Sequence, residues 1–323
     1  LETALLNKNS NHEVKFDETA LTWGGWNSPL DLQATNVDIL DADGKSIAYT
    51  PKVSVGIDIE KFFSGNFLPK NIEFINPQLL IETKFDKNLT VNENFFQFLI
   101  PNNDSNDILK NIENISLRNG KILFNDIVSG IKWDIPEINF IYSKKTNTKD
   151  SLATFTTRNL HGINSDGDKL AEADYLSFVF DGDELSRGRP QLLSVEINNL
   201  NILCHQDSNN HFTFGNNTFS FDSGLRDINS DSINIEQIVK GITSTTEIDI
   251  FSKINKILIN DSKIKVNDTN TKKVFLAKKI NLNFTKNQQY GELFSSFELE
   301  NPSGNSKIFS KIEIEKNNSL ILA

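Results

Sequence analysis

The residues able to do chemistry are few. Four histidines (His12, His161, His205 and His211) and one cysteine, Cys204, are the only nitrogen and sulfur metal ligands in 323 residues. Cys204-His205 with His211 suggests a metal pair, but the spacing matches no strong zinc pattern and two further ligands are not evident. Asp41-Ala-Asp43-Gly44 has the look of a calcium-loop opening. Counting from Asp41, however, the twelfth position is Lys52, a cation where that loop needs a bidentate carboxylate. Asp166-Gly-Asp168 and Asp181-Gly-Asp183 read as turns, and Trp23/Trp26 as a packed corner. No Gly-x-Ser-x-Gly, Gly-x-Gly-x-x-Gly or Gly-Lys-Ser/Thr motif occurs. No nucleophile–base set can be nominated. The expectation is a protein that is not an enzyme, with no catalytic residue, no metal and no cofactor.

The elements that would position such groups are instead rich in apolar alternation. Residues 36–82 show the pattern best. Val37 and Ile39 alternate with polar residues, and Asp41-Ala-Asp-Gly44 turns the chain. Val53, Val55, Ile57 and Ile59 then share one face of a second strand. Ile59-Glu-Lys-Phe-Phe63 reads as a short helical turn closed by Ser64-Gly65. Ile72 and Phe74 begin a third strand, Asn76-Pro77 kinks it, and Leu79 and Ile81 continue it; a proline there implies a bulge or an edge.

The pattern repeats. Residues 71–81 align with 114–124 and with 256–266. Residues 112–144 match 254–286 at a constant offset of 142, polar positions such as Asn125-Asp126 and Asn267-Asp268 included. Repeated supersecondary units imply a stacked architecture. The expected fold is mainly β with a few short helices: a long, curled antiparallel sheet, a U-shaped β-groove built from repeated strand units. It would hold roughly 15–18 strands, about 70–85 Å across at ~4.8 Å per strand. Short helices are expected around residues 94–112 and 235–242. Residues 14–145 form an N-terminal unit and 146–323 continue the groove with a second, related unit, while 1–13 are a frayed start. The lining of the groove is read as Val53, Val55, Ile57, Ile59, Ile72, Phe74, Leu79, Ile81, Ile115, Leu117, Ile122, Phe124, Ile138, Phe140, Ile257, Ile259, Ile264, Val266, Ile280 and Leu282.

Composition bounds the partners. Net charge is −10 with 24 Phe and 8 Pro. That balance argues against nucleic acid, and against docking on anionic lipid head groups. One cysteine excludes an internal disulfide, and no run of 18 apolar residues could span a bilayer. A chain without methionine that opens on Leu1 reads as a piece of a longer protein, with a signal or anchor possible before Leu1. The abundance of Asn, Lys and Ile reads as the codon bias of an AT-rich genome.

Residues 14–82 resemble the N-terminal region of AsmA-like proteins, in particular the YhdP-type members that contain a DUF3971 segment. Four phrases carry the resemblance: Asp-Ala-Asp-Gly (41–44), Val-Ser-Val-Gly-Ile-Asp-Ile (53–59), Phe-Phe-Ser-Gly (62–65) and Leu-Pro-Lys-Asn-Ile-Glu-Phe-Ile-Asn-Pro-Gln-Leu-Leu-Ile (68–81). Asn-Gly-Lys-Ile-Leu-Phe-Asn-Asp (119–126), followed by Trp133, looks like the meander that comes next. Phe62-Phe63 departs from the usual aliphatics, and the polar, Asp-rich residues 161–190 are not placed by the resemblance. The resemblance implies a periplasmic protein anchored to the inner membrane of a Gram-negative bacterium. It would carry phospholipid along an apolar β-groove toward the outer membrane, touching that membrane at its far end, as chorein-type bridge proteins do. The alternative is a structural or assembly protein with a closed β core, involved in outer-membrane protein biogenesis.

Overall fold

The computed structural model describes residues 13–24, 29–40, 44–65, 68–82, 112–144, 151–186, 189–208, 211–220, 253–286, 290–301, 304–315 and 320–322. The helices expected around 94–112 and 235–242 fall outside them but for Ile112, as do the Asp41–Asp43 turn and Trp26. The strands are β1 (Glu13–Lys15), β2 (Glu18–Trp23), β3 (Leu30–Leu40), β4 (Ser46–Ile57), β5 (Pro69–Ile75), β6 (Gln78–Glu82), β7 (Asn114–Asp126), β8 (Ile131–Ser143), β9 (Leu152–Ile163) and β10 (Lys169–Asp181). They continue as β11 (Leu192–Asn198), β12 (Asn201–Gln206), β13 (His211–Phe214), β14 (Asn217–Ser220), β15 (Lys256–Asp268), β16 (Val274–Lys286), β17 (Tyr290–Asn301), β18 (Gly304–Glu315) and β19 (Leu320–Leu322). Helix α1 (Ile59–Phe63) follows β4 and α2 (Gly182–Ser186) follows β10. All nineteen strands belong to one sheet. The chain is thus mainly β with short helices, and the sheet is curled.

The sheet is mixed, which corrects the expectation of an antiparallel one. β5 and β6 run parallel to β7, and β11 and β12 run parallel to β15. In both places the chain returns over a long connection, as parallel pairing requires. The first parallel register pairs Asn71 with Asn114, Phe74 with Leu117 and Leu79 with Ile122. These are the residues the repeat alignment places together. For these two copies the self-similarity of the sequence is the ladder itself, like side chains stacking on like, whereas the third copy, 256–266, lies beside β11 and β12.

The offset of 142 has a structural counterpart in its polar positions. The N–H of Asn119 donates to Asn139 Oδ1 at 3.0 Å, and that of Asp261 donates to Asn281 Oδ1 at 3.0 Å. Asp126 caps the β7–β8 turn by accepting from Val128 N and from the Ser129 hydroxyl. Asp268 does the same between β15 and β16 with Asn270 N, Thr271 N and the Thr271 hydroxyl. The Thr271 hydroxyl and N–H hold the Asp268 carboxyl below its usual range, so what this cap contributes is present above the ordinary aspartate pKa and lost as pH falls through the lowered one. The helices also correspond. Asp58 caps α1 with bonds from Glu60 N and Lys61 N, and Asp181 caps α2 with bonds from Asp183 N and Glu184 N. Asp181-Gly-Asp183 is thus a helix N-cap and not a hairpin turn.

A crease of left-handed residues crosses the sheet. Asn36, Asn76, Asn119, Asn159, Asn199, Asp261 and Lys279 all have φ between 45° and 54°. Asparagine tolerates that region better than most residues. Each long strand from β3 to β16 shifts its apolar phase by one residue there. In β7, Ile115 and Leu117 face the core before Asn119, and Ile122 and Phe124 after it. The partner strand shifts too, so pairing recovers: Leu117 opposes Phe140, and beyond the crease Ile122 opposes Ile135. Asn76-Pro77 is this bulge between β5 and β6, as the proline implies. Five asparagines, Asn36, Asn76, Asn119, Asn159 and Asn199, therefore carry backbone geometry. Asn119→Val is expected to destabilise the fold by about 1–2 kcal/mol and Asn119→Gly to be nearly neutral; urea unfolding of the two variants measures the difference.

Candidate functional site

The cross-strand registers join the apolar residues into rows. One row runs Ala34, Val53, Phe74, Leu117, Phe140, Phe155, Phe178, Val195, Ile257, Phe284, Leu293, Ile312. Twelve apolar side chains lie side by side on twelve strands, with no polar residue among them. At ~4.8 Å per strand the row is roughly 50 Å long. Beyond the crease a second row on the same face runs Ile81, Phe124, Trp133, Gly162, Ala171, Ile202, Ile264, Ala277, Leu299.

Nineteen of the twenty residues read as groove lining sit on this face. Val55, Ile72 and Ile115 form a row beside the first. Ile259 pairs with Leu282, Ser262 with Ile280 and Val266 with Cys204. The exception is Ile59, which belongs to α1 and not to the strand. Its neighbour Asp58 accepts the first helix N–H groups, so the strand stops at Ile57.

Burial along the face is graded. Val53 is 0% exposed, Val55 and Ile138 1%, and Phe74, Leu117 and Phe140 are also buried; together with Leu185 of α2 they form one continuous core. Toward the C-terminus the same face opens. Ile257, Ile259, Leu282 and Phe284 are half-buried and Ile264 is 38% exposed. Ile312 is again buried.

Part of the face is roofed, which the sequence reading missed. The β13–β14 hairpin leaves β12 at Gln206 and reaches the β7–β8 turn, where Asn216 N donates to Ser129 O at 2.7 Å. The Phe214 ring lies 6.3 Å from the Trp133 ring. Gly215, at φ +59°, sits so close that a Cβ there would stand 2.3 Å from Ser129 O and 2.8 Å from Ile131 Cγ1. Underneath, the Trp133 ring covers Gly162, where a Cβ would stand 2.9 Å from it. Small residues on β9 and β10 thus make room for large ones above them. The sequence signal for this was the pair of small residues Gly162 and Ala171 beside Trp133 in that row.

The titratable candidates do not converge. Cys204 lies on the apolar face opposite Val266, and burial pushes its thiol up, so it behaves as a small apolar residue. Adjacent His205 is on the other side of the strand. His211 Nδ1 lies 3.3 Å from Asp207 Oδ2, and His161 Nε2 lies 3.6 Å from Asp134 Oδ2. Burial raises the Tyr142 phenol, which borders the first row. Among the described residues no group of three or more His, Cys, Asp or Glu could hold a metal ion. No described helix is long and apolar enough to cross a membrane.

The opposite face carries its own trough of about 460 Å³. Two cross-strand rows border it, Leu258–Asn283–Phe294–Lys311 and Asn281–Ser296–Phe309.

The graded burial sets the cost of mutation. Leu117→Ala is expected to cost about 2–5 kcal/mol, and Ile259→Ala less than half as much, measured by denaturant unfolding. Gly215→Ala is expected to undock the hairpin and red-shift Trp133 fluorescence while leaving the far-UV strand signal intact. No protein-family model matches this chain, and no curated protein matches it.

Proposed function

We propose that this chain is a non-enzymatic lipid carrier whose apolar sheet face holds phospholipid acyl chains. One observation carries the reading: an unbroken row of apolar side chains on one face, buried toward the N-terminus and half-exposed over β15 and β16. An acyl chain needs a continuous apolar lining and no reactive group. Each methylene it buries is worth about 0.8 kcal/mol. The row is roughly 50 Å long, about two and a half times the ~20 Å of an extended acyl chain, and it is open to a ligand where it is half-exposed. In the AsmA-like, YhdP-type setting that residues 14–145 resemble, the chain would work in the periplasm. It would be held to the inner membrane by a segment outside this sequence and would carry phospholipid toward the outer membrane along a bridge.

A second reading rests on the burial of Val53, Val55, Phe74 and Ile138. A face closed on itself would be a dry core, as in a structural or assembly protein of outer-membrane biogenesis. The two readings part on one experiment: native mass spectrometry and lipid extraction of the purified protein. Bound phospholipid is expected, and Ile259→Asp with Leu282→Asp should abolish it. Both residues are half-buried, so the variant is expected to keep its fold, unlike an aspartate at Leu117. A clean apo mass, with no uptake of fluorescent phospholipid from vesicles, would leave the closed structural reading.

A further inference from the structure

Charge is spread unevenly along the chain. Residues 253–286, which hold β15 and β16, carry nine lysines against two aspartates, a formal +7; the remaining residues sum to −17 to give the total of −10. The whole-chain balance, which argues against anionic surfaces, conceals this. On the face opposite Ile259, Lys256, Lys263 and Lys265 are exposed. None of the three has an acidic partner among the described residues. Of the acids on the flanking strands, Glu172, Glu298 and Glu300 are engaged in ion pairs with other lysines, while Glu292 stands on the Lys256 row. Glu298 gathers Lys278, Lys279 and Lys307, of which Lys279 first and then Lys307 hold its carboxyl below the usual range, and Glu300 pairs with Lys278. Of the nine lysines, Lys278 and Lys279 are held in ion pairs, and Lys256, Lys263 and Lys265 are the ones that stand without one, among the described residues, on the outer face of β15.

Apolar rings stand on the same face. Phe309 is 75% exposed and Phe294 44%, and both border the trough across β15–β18. A partner that is only a dense negative charge would use the lysines and leave the rings in water. A bilayer surface uses both, since its anionic head groups neutralise lysines while aromatic rings enter the interface.

We propose that the outer face of β15–β18 docks on an anionic bilayer surface through Lys256, Lys263 and Lys265, with Phe309 and Phe294 as its apolar anchors. This docking is independent of whether the other face carries acyl chains. The test is co-sedimentation of the whole chain with phosphatidylglycerol/phosphatidylcholine vesicles and with pure phosphatidylcholine vesicles, at low and high salt. Binding is expected only to the anionic vesicles and should weaken with salt. The triple variant Lys256→Glu, Lys263→Glu, Lys265→Glu should lose at least about a hundred-fold in affinity, each lysine being worth about five-fold. Phe309→Ser should weaken what binding persists at high salt. A control with Lys15, Lys61 and Lys132 changed to Glu should bind as the parent does. Equal binding to neutral vesicles, no binding to anionic ones, or a triple variant that binds like the parent would each overturn the proposal. So would salt-sensitive self-association without vesicle binding, which would make the partner the acidic part of a second copy. Lipid extraction from the same variants reads the opposite face separately, so failure of one reading leaves the other standing.

Discussion

The structure depends on keeping one face apolar while every long strand bends. Side chains in a strand alternate strictly, so one added residue sends all later ones to the other side. Here the added residue is the device. It sits at the same level in successive strands from β3 to β16, and because neighbours share the shift, both halves of each strand return to the same face. A flat ladder of this width would have to twist or curl somewhere. A shared crease places that bend at one line and leaves pairing intact on both sides. Where the crease ends the constraint is visible from the other side. β16 shifts and β17 does not, so their register slips by one across the crease, and β17 pairs with β18 without interruption.

Self-similarity and stacking are one fact at the parallel junctions. A parallel neighbour presents its residues in the same order and direction. Two segments with the same spacing of apolar, asparagine and apolar positions therefore match along their whole length, bulge included. Asn76 meets Asn119 and Asn199 meets Asp261 at the crease, with the N–H of Asn76 on Arg118 O and that of Asn199 on Asn260 O. An antiparallel neighbour would have met the pattern reversed. Repetition in this chain thus solves a register problem before it has any consequence for ligand binding.

What was legible in the sequence follows from this. Alternation exposed the apolar face, because Val53, Phe74, Leu117 and Phe140 obey period two on either side of the crease. The Asn76-Pro77 kink was legible because proline cannot donate to a ladder. Strand direction was not legible, since period two is the same for parallel and antiparallel neighbours, although the alignment of 71–81 with 114–124 already contained the register. The α2 cap was hidden because Asp-Gly-Asp serves a turn as readily as a helix start. The roofing hairpin was hidden because His211–Phe214 is short and its contacts with Ser129, Ile131 and Trp133 are remote in sequence. The five asparagines of the crease were not singled out from the composition. Their role appears only when φ is known.

Stability and availability are divided along the same face. Each apolar side chain buried in full contributes about 1.5–3 kcal/mol. The N-terminal strands, with Val53, Val55, Phe74, Leu117 and Ile138 removed from water, hold the larger share of that driving force. The strands β15 and β16 keep Ile257, Ile259, Leu282 and Phe284 only half-covered, so they leave apolar area open and depend on the ladder to β11 and β12 for their order. A sheet in which all rows were buried alike would gain stability and have nothing to offer a ligand. One in which all were open would lack a core to hold its curl. Grading burial along an uninterrupted row lets a single sheet be a core at one end and a surface at the other, and the lysines concentrated on the outer side of β15 make that same end the one where both faces can meet something other than this chain.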